Sequence, residues 1–116
     1  RCCLESLALK YRWTVDRLEE ITGRSARVIH MVGGGAQNKL LCQLAADATG
    51  LPVVAGPIEA TAAGNILMQA MALGEIRSLE EARQMVRRSF PVKVYEPQDK
   101  GPWDDVYGKF NDLVVN

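Results

Sequence analysis

Val28 to Asn38, VIHMVGGGAQN, is the stretch that decides the fold. Its first five residues are apolar and partly β-branched apart from His30, with polar residues before them and glycine after. A run that short predicts a buried strand rather than a helix. Gly33, Gly34 and Gly35 then remove every Cβ from the turn, which leaves backbone N–H groups open to close approach. Beyond it, Leu40, Leu41, Leu44, Ala45 and Ala48 mark one face of a helix that stops at Gly50. A glycine turn between strand and helix sets backbone N–H groups and the positive end of the helix dipole where a phosphate or another anion would bind. Asn38, read as part of the first helical turn, adds an amide that donates and accepts, suited to an adenine edge or a ribose hydroxyl. The turn matches neither the P-loop pattern nor the dinucleotide fingerprint. Taken alone it is compatible with a nucleotide site and equally with a crowded strand-to-helix corner.

Working outward, Pro52 to Ala55 (PVVA) is a second short strand, closed by Gly56 and Pro57. Strand, helix, strand in that order predicts a parallel pair joined by a right-handed crossover. Upstream, Leu4, Leu7, Ala8, Tyr11, Val15, Leu18 and Ile21 recur at three and four residues, which predicts an amphipathic helix ending at Gly23. Thr14 would cap a second helix if the chain bent near Trp13. Downstream, Thr61 to Leu73 is apolar almost all round, broken by Asn65 and Gln69, and predicts a helix buried on most sides. Thr61 is its expected N-cap, and Gly64 its point of close backbone contact. Ser78 and Glu81 form an S-x-x-E capping box for the next helix, with Ala82, Met85 and Val86 inward and Arg87, Arg88 and Pro91 at its end. Val92 to Tyr95 is extended, Gln98 to Pro102 is a polar turn, and Asp104 to Val114 forms a weaker last helix.

The 116 residues suffice for one α/β domain. Two strands make a thin sheet, and the chain opens Arg-Cys-Cys without an initiator Met. Both features predict a piece of a longer protein, whose exposed strand edge would favour self-association. Lys plus Arg equals Asp plus Glu at 14 each, which gives no electrostatic case for nucleic acid or an anionic membrane as partner. Arg83, Arg87 and Arg88 read as complements of a helix dipole. No apolar run approaches the ~20 residues that span a bilayer, and Glu5 and Lys10 interrupt any signal-peptide core. Cys2, Cys3 and Cys42 lack metal-ligand spacing and read as reduced thiols of a cytoplasmic protein. His30 is expected in the core and Asp47 in a structural role. Glu59 lies where a carboxylate favours a helix N-terminus. Trp13 and Trp103 lack the basic context of a nucleic-acid platform.

From Val32 to Gly74 the sequence is similar nearly throughout to the closing region of the FGGY carbohydrate kinases. The resemblance rests on the GGG-x-x-N turn from Gly33 to Asn38, the D-x-x-G-x-P-V from Asp47 to Val53, and the E-A-T-x-x-G-N from Glu59 to Asn65. The opening ESLALKYRWTVDRLEEITGR, the form GPIEATAAGN and the closing VYEPQDKGPWDDVYGKF resemble the branch that phosphorylates L-rhamnulose. The resemblance implies a partial actin-like ATPase (ribonuclease H-like) domain of short parallel strands and packed helices. Residues 1–116 would be the carboxyl-terminal, nucleotide-binding portion of a two-domain kinase. ATP, used with Mg2+, would lie between the domains over Gly33, Gly34 and Gly35, with Asn38 near the adenosine and Gln37 as a further contact. The catalytic aspartate and the sugar site belong to the amino-terminal domain. No catalytic or metal-binding residue is therefore expected in this chain, nor are the first strands of its own domain. L-rhamnulose, giving L-rhamnulose 1-phosphate, is the implied substrate. Kinases for fuculose, xylulose or a polyol, and a non-catalytic sugar- or nucleotide-responsive module, are the alternatives.

Overall fold

A computed structural model describes residues 1–115. The VIHMV stretch contributes β1 (Ile29–Met31) and PVVA contributes β2 (Val53–Ala55). They pair in parallel, with Ile29, His30 and Met31 opposite Val53, Val54 and Ala55. Between them runs α2 (Lys39–Thr49), ended by Gly50 at φ 70°, a left-handed conformation that glycine adopts without strain. A third strand, β3 (Lys93–Tyr95), joins the far side of β2 and is antiparallel. The expected parallel pair is thus the core of a mixed three-stranded sheet. The long connection after β2 lets the chain return in the opposite direction.

One face of this sheet is closed. α1 (Cys2–Thr22) and α2 cover it, and Met31, Val53, Ala55 and Tyr95 pack there against Leu41, Cys42, Ala45 and Ala46. Ala8, Leu44 and Ala48 form a second buried patch that Leu4 and Trp103 seal. The alanines let the two helices approach closely, because interaxial distance is set by the side chains at the contact. α1 is one continuous helix, as its single periodic pattern predicts, and the chain does not bend near Trp13 to make Thr14 a cap. The Thr14 hydroxyl donates to the Lys10 carbonyl at 2.8 Å, a bond made inside the helix rather than at a cap. Its end is as expected, with Gly23 at φ 64° and its N–H on the Glu19 carbonyl.

α5 (Gly101–Val115) begins three residues before the predicted helix and is tied to α1 by side chains. The Tyr107 hydroxyl donates to Asp16. Arg12 donates to Asp104 at 2.7 Å and stacks on the Tyr107 ring. Burial first, then Asp16, pushes the Tyr107 phenol up to about 12. Asp47 is structural as expected: its carboxylate accepts from Gln43 at 2.9 Å and from the Gln98 N–H at 2.8 Å, fastening the segment after β3 to α2.

The other face is open, and here the expectations fail. α3 (Ala60–Ala72) buries Ala63, while Ile66 is 67% and Leu73 80% exposed. A Cβ on Gly64 would meet nothing within 4 Å, so no backbone packs there. Glu59, not Thr61, occupies the N-cap of α3, and it makes no side-chain cap bond. In α4 (Leu79–Ser89) Ala82 is buried but Met85 is exposed. His30 is exposed rather than a core residue, because strand alternation turns it to the open face together with Val54 and Val94. The cap of α4 forms as expected, with Ser78 Oγ accepting from the Glu81 N–H, but the return bond of the box is displaced: Glu81 accepts from the N–H of Arg77, one residue before the cap. The radius of gyration, 16.7 Å, exceeds the ~13 Å of a compact domain of this length, in keeping with a sheet covered on one side.

Candidate functional site

The chain leaves β1 through Gly33, whose φ of 72° is left-handed and whose N–H donates to the Pro57 carbonyl at 3.2 Å. Gly33–Gln37 coil into a single 3-10 turn, closed by the Asn38 N–H on the Gly35 carbonyl at 3.1 Å. Asn38 is the N-cap of α2 rather than a member of its first turn. Its Oδ1 accepts from the Leu41 N–H at 3.0 Å, so a cap of about 1 kcal/mol holds that oxygen and leaves the amide nitrogen to donate outward. Beneath the turn lies Cys42, fully buried, with Sγ 3.6 Å from Met31 Sδ and 3.8 and 3.9 Å from the carbonyls of Ala36 and Gly35. Burial pushes the Cys42 thiol up, against smaller lowering by its backbone hydrogen bond and Lys93, so it is a packing group and not a nucleophile.

The three glycines are not equivalent. Gly33 is required by its φ. Gly34 has no left-handed φ, and a Cβ built on it would meet nothing within 4 Å. At Gly35 the same Cβ would make only ordinary contact with Met31, at 3.8 Å. A tight corner therefore needs Gly33 alone. Gly34 and Gly35 are exposed, and their bare backbone is an asset only to something that approaches from outside.

Beside the turn, at the carboxyl ends of the parallel strands, lies an open cavity of about 360 Å3. Ligands of open α/β sheets bind at that end of the strands. Gln37, Lys39, Gly56, Ile58, Lys93 and Tyr95 are among the residues lining it. Gly56 has φ 119°, and a Cβ on it would come within 2.9 Å of the Pro91 carbonyl, so glycine is obligatory there too. Its N–H donates to the Met31 carbonyl at 2.8 Å and holds the ends of β1 and β2 together.

The structure thus gathers Gly33, Gly34, Gly35 and Gln37 into one turn with Asn38 next to it; Ala36 and Gln37 line the adjoining cavity, whereas the three glycines and Asn38 are not among its lining residues. Sequence reasoning missed Lys39 and Lys93. In VKVY a lysine between valines reads as the solvent side of a strand, and only its pairing with Ala55 brings it to the site. A larger cavity, about 690 Å3, lies on the open face between α3, α4 and the sheet; it is mainly apolar, with Arg83 and Arg87 among its lining residues. Among the described residues no group of three His, Cys, Asp or Glu is placed to hold a metal, and no helix is long and apolar enough to cross a membrane.

Residues 1–73 match the family model of the C-terminal domain of the FGGY family of carbohydrate kinases. A rhamnulokinase of Bacteroides thetaiotaomicron is 47% identical over 114 residues, 98% of this chain and 24% of that protein. Rhamnulokinases of Bacillus subtilis and Halalkalibacterium halodurans are 52% and 48% identical, over 84% and 86% of this chain and 20% and 21% of theirs. The chain spans between a fifth and a quarter of the length of these curated relatives.

Proposed function

The chain belongs to the FGGY family of carbohydrate kinases, and on that premise we propose that it is the nucleotide-binding carboxyl-terminal portion of an ATP-dependent sugar kinase. The proposed fold is part of an actin-like ATPase domain. The proposed reaction transfers a phosphoryl group from ATP to a ketose, L-rhamnulose, giving L-rhamnulose 1-phosphate. The observation that carries the nucleotide assignment is Gly34, a glycine that the fold itself does not need, exposed on a turn whose Ala36 and Gln37 line a cavity.

In this reading Gly34 and Gly35 let the nucleotide phosphates lie against the main chain, where N–H groups and the α2 dipole favour negative charge. Gln37 lines the cavity beside them. Asn38 keeps Oδ1 on its own helix and offers its amide nitrogen to the adenosine. These residues bind and orient; none takes a proton, and the base for the sugar hydroxyl belongs to the partner domain. Mg2+, when bound with ATP, neutralises charge on the phosphates. Positioning of this kind carries much of phosphoryl-transfer catalysis. The relatives' names support the sugar, and the open apolar face of α3 and the sheet supports a domain that normally packs against further protein.

Sugar-dependent ADP release by the full-length kinase tests the assignment across L-rhamnulose, L-fuculose, D-xylulose and glycerol. Clear preference for L-rhamnulose is the expected result. Preference for another sugar corrects the substrate and keeps the mechanism. ATP binding without turnover on any of them would favour a non-catalytic module.

A further inference from the structure

We propose that Lys93, assisted by Lys39, is an affinity-determining residue that pairs with the phosphates of the bound nucleotide. This deepens the nucleotide reading above and rests on it. Lys93 lies in the part of the chain beyond the residues that match the family model.

The placement follows from register. Met31 ends β1, Ala55 ends β2, and Lys93 begins β3; Met31 pairs with Ala55, and Ala55 with Lys93. Residues in one register row send their side chains to the same face of a sheet. Met31 and Ala55 are buried under α2, so Lys93 leaves the sheet on that side, at its carboxyl edge, where the glycine turn passes. Its ammonium stands 4.9 Å from the centroid of the Tyr95 ring, and both residues line the cavity beside the turn. It is also near enough to Cys42, under the turn, to act on that thiol electrostatically.

Lys39 opens α2 from the other side of the same cavity. Lys39 and Lys93 are the charged side chains among its lining residues, and no carboxylate lines it. Neither lysine has an ion-pair partner within 4.0 Å among the described residues. Two cations facing one concave space without a counter-charge raise the local concentration of an anion and hold it there. Lysine serves a phosphate as a mobile point charge, without the planar fork that carboxylates favour.

The test is nucleotide affinity of the full-length kinase carrying Lys93→Met, Lys93→Arg or Gly34→Val, each checked for an unchanged thermal midpoint. Lys93→Gln replaces the Met variant if that one does not fold. The expected result for Lys93→Met is about a tenfold rise in KM for ATP, the loss of one charge-assisted contact. The KM for the sugar should hold, and the dependence of ATP affinity on salt should flatten. Lys93→Arg should recover most of the affinity, because charge and not shape is the contribution. Unchanged ATP affinity in Lys93→Met, with affinity lost in Gly34→Val, would overturn the role of Lys93 and leave the glycine turn standing. Equal loss in the Met and Arg variants would overturn it as well, by pointing to packing. Unchanged affinity in all three would remove the nucleotide reading itself.

Discussion

The two faces of the sheet both draw on apolar sequence and meet different fates. On one, α1 and α2 bury Met31, Val53, Ala55 and Tyr95, and the glycine turn rides on that packing through Cys42 and the Asn38 cap. On the other, Ile66 and Met68 of α3 and Leu73 at its C-cap are exposed, and Val94 of β3 is half uncovered. Hydrophobic pattern marks which residues seek cover, but not whether that cover lies within a given stretch of chain. The closed face therefore sets the stability of residues 1–115 and the geometry of the site, whereas the open face leaves its apolar residues uncovered.

Substitutions on the two faces should differ most in stability. Leu41→Ala, on the closed face, should cost about 2–5 kcal/mol in denaturant unfolding, because the buried side chain leaves a cavity beneath the turn. Ile66→Lys, on the open face, should change stability by no more than about 0.5 kcal/mol. Comparable destabilisation by the two substitutions would erase the distinction between the faces.

A smaller effect concerns the link of α5 to the closed face. Tyr107 donates to Asp16, and its phenol is raised from 10.0 to about 12. The folded chain thus holds that proton more tightly than the unfolded chain does. The contribution is complete below about 10 and is lost as pH climbs through about 12. Tyr107→Phe should flatten this part of the stability–pH curve, measured by thermal melts between those values. An identical slope in the variant would mean that another group titrates there.

What could be read from the sequence was what is local. β1, β2, the stops at Gly23 and Gly50 and the Ser78–Glu81 box each depend on a few neighbouring residues. The continuity of α1 was legible in the periodicity from Leu4 to Ile21; Thr14 alone left a bend open, because it serves a cap or a helix interior equally well, and its bond to Lys10 decided. The antiparallel β3 and the place of Lys93 beside the cavity were hidden because they depend on pairing with Ala55, far away in sequence. Exposure of His30 and of α3 was misread because an apolar stretch signals a demand for cover and not its supply. At the site, the glycines were visible as a motif, but which of them the fold requires emerged only from φ and from the space around each.

The most direct test of the proposed nucleotide turn is the ATP affinity of the proposed full-length kinase with Gly34→Val. The substitution enters open space at a residue without a left-handed φ, so the fold should persist with an unchanged thermal midpoint. If nucleotide phosphates lie against the backbone there, affinity should fall about tenfold or more, equivalent to about 1.4 kcal/mol or more. Wild-type affinity in a folded Gly34→Val variant would contradict the account.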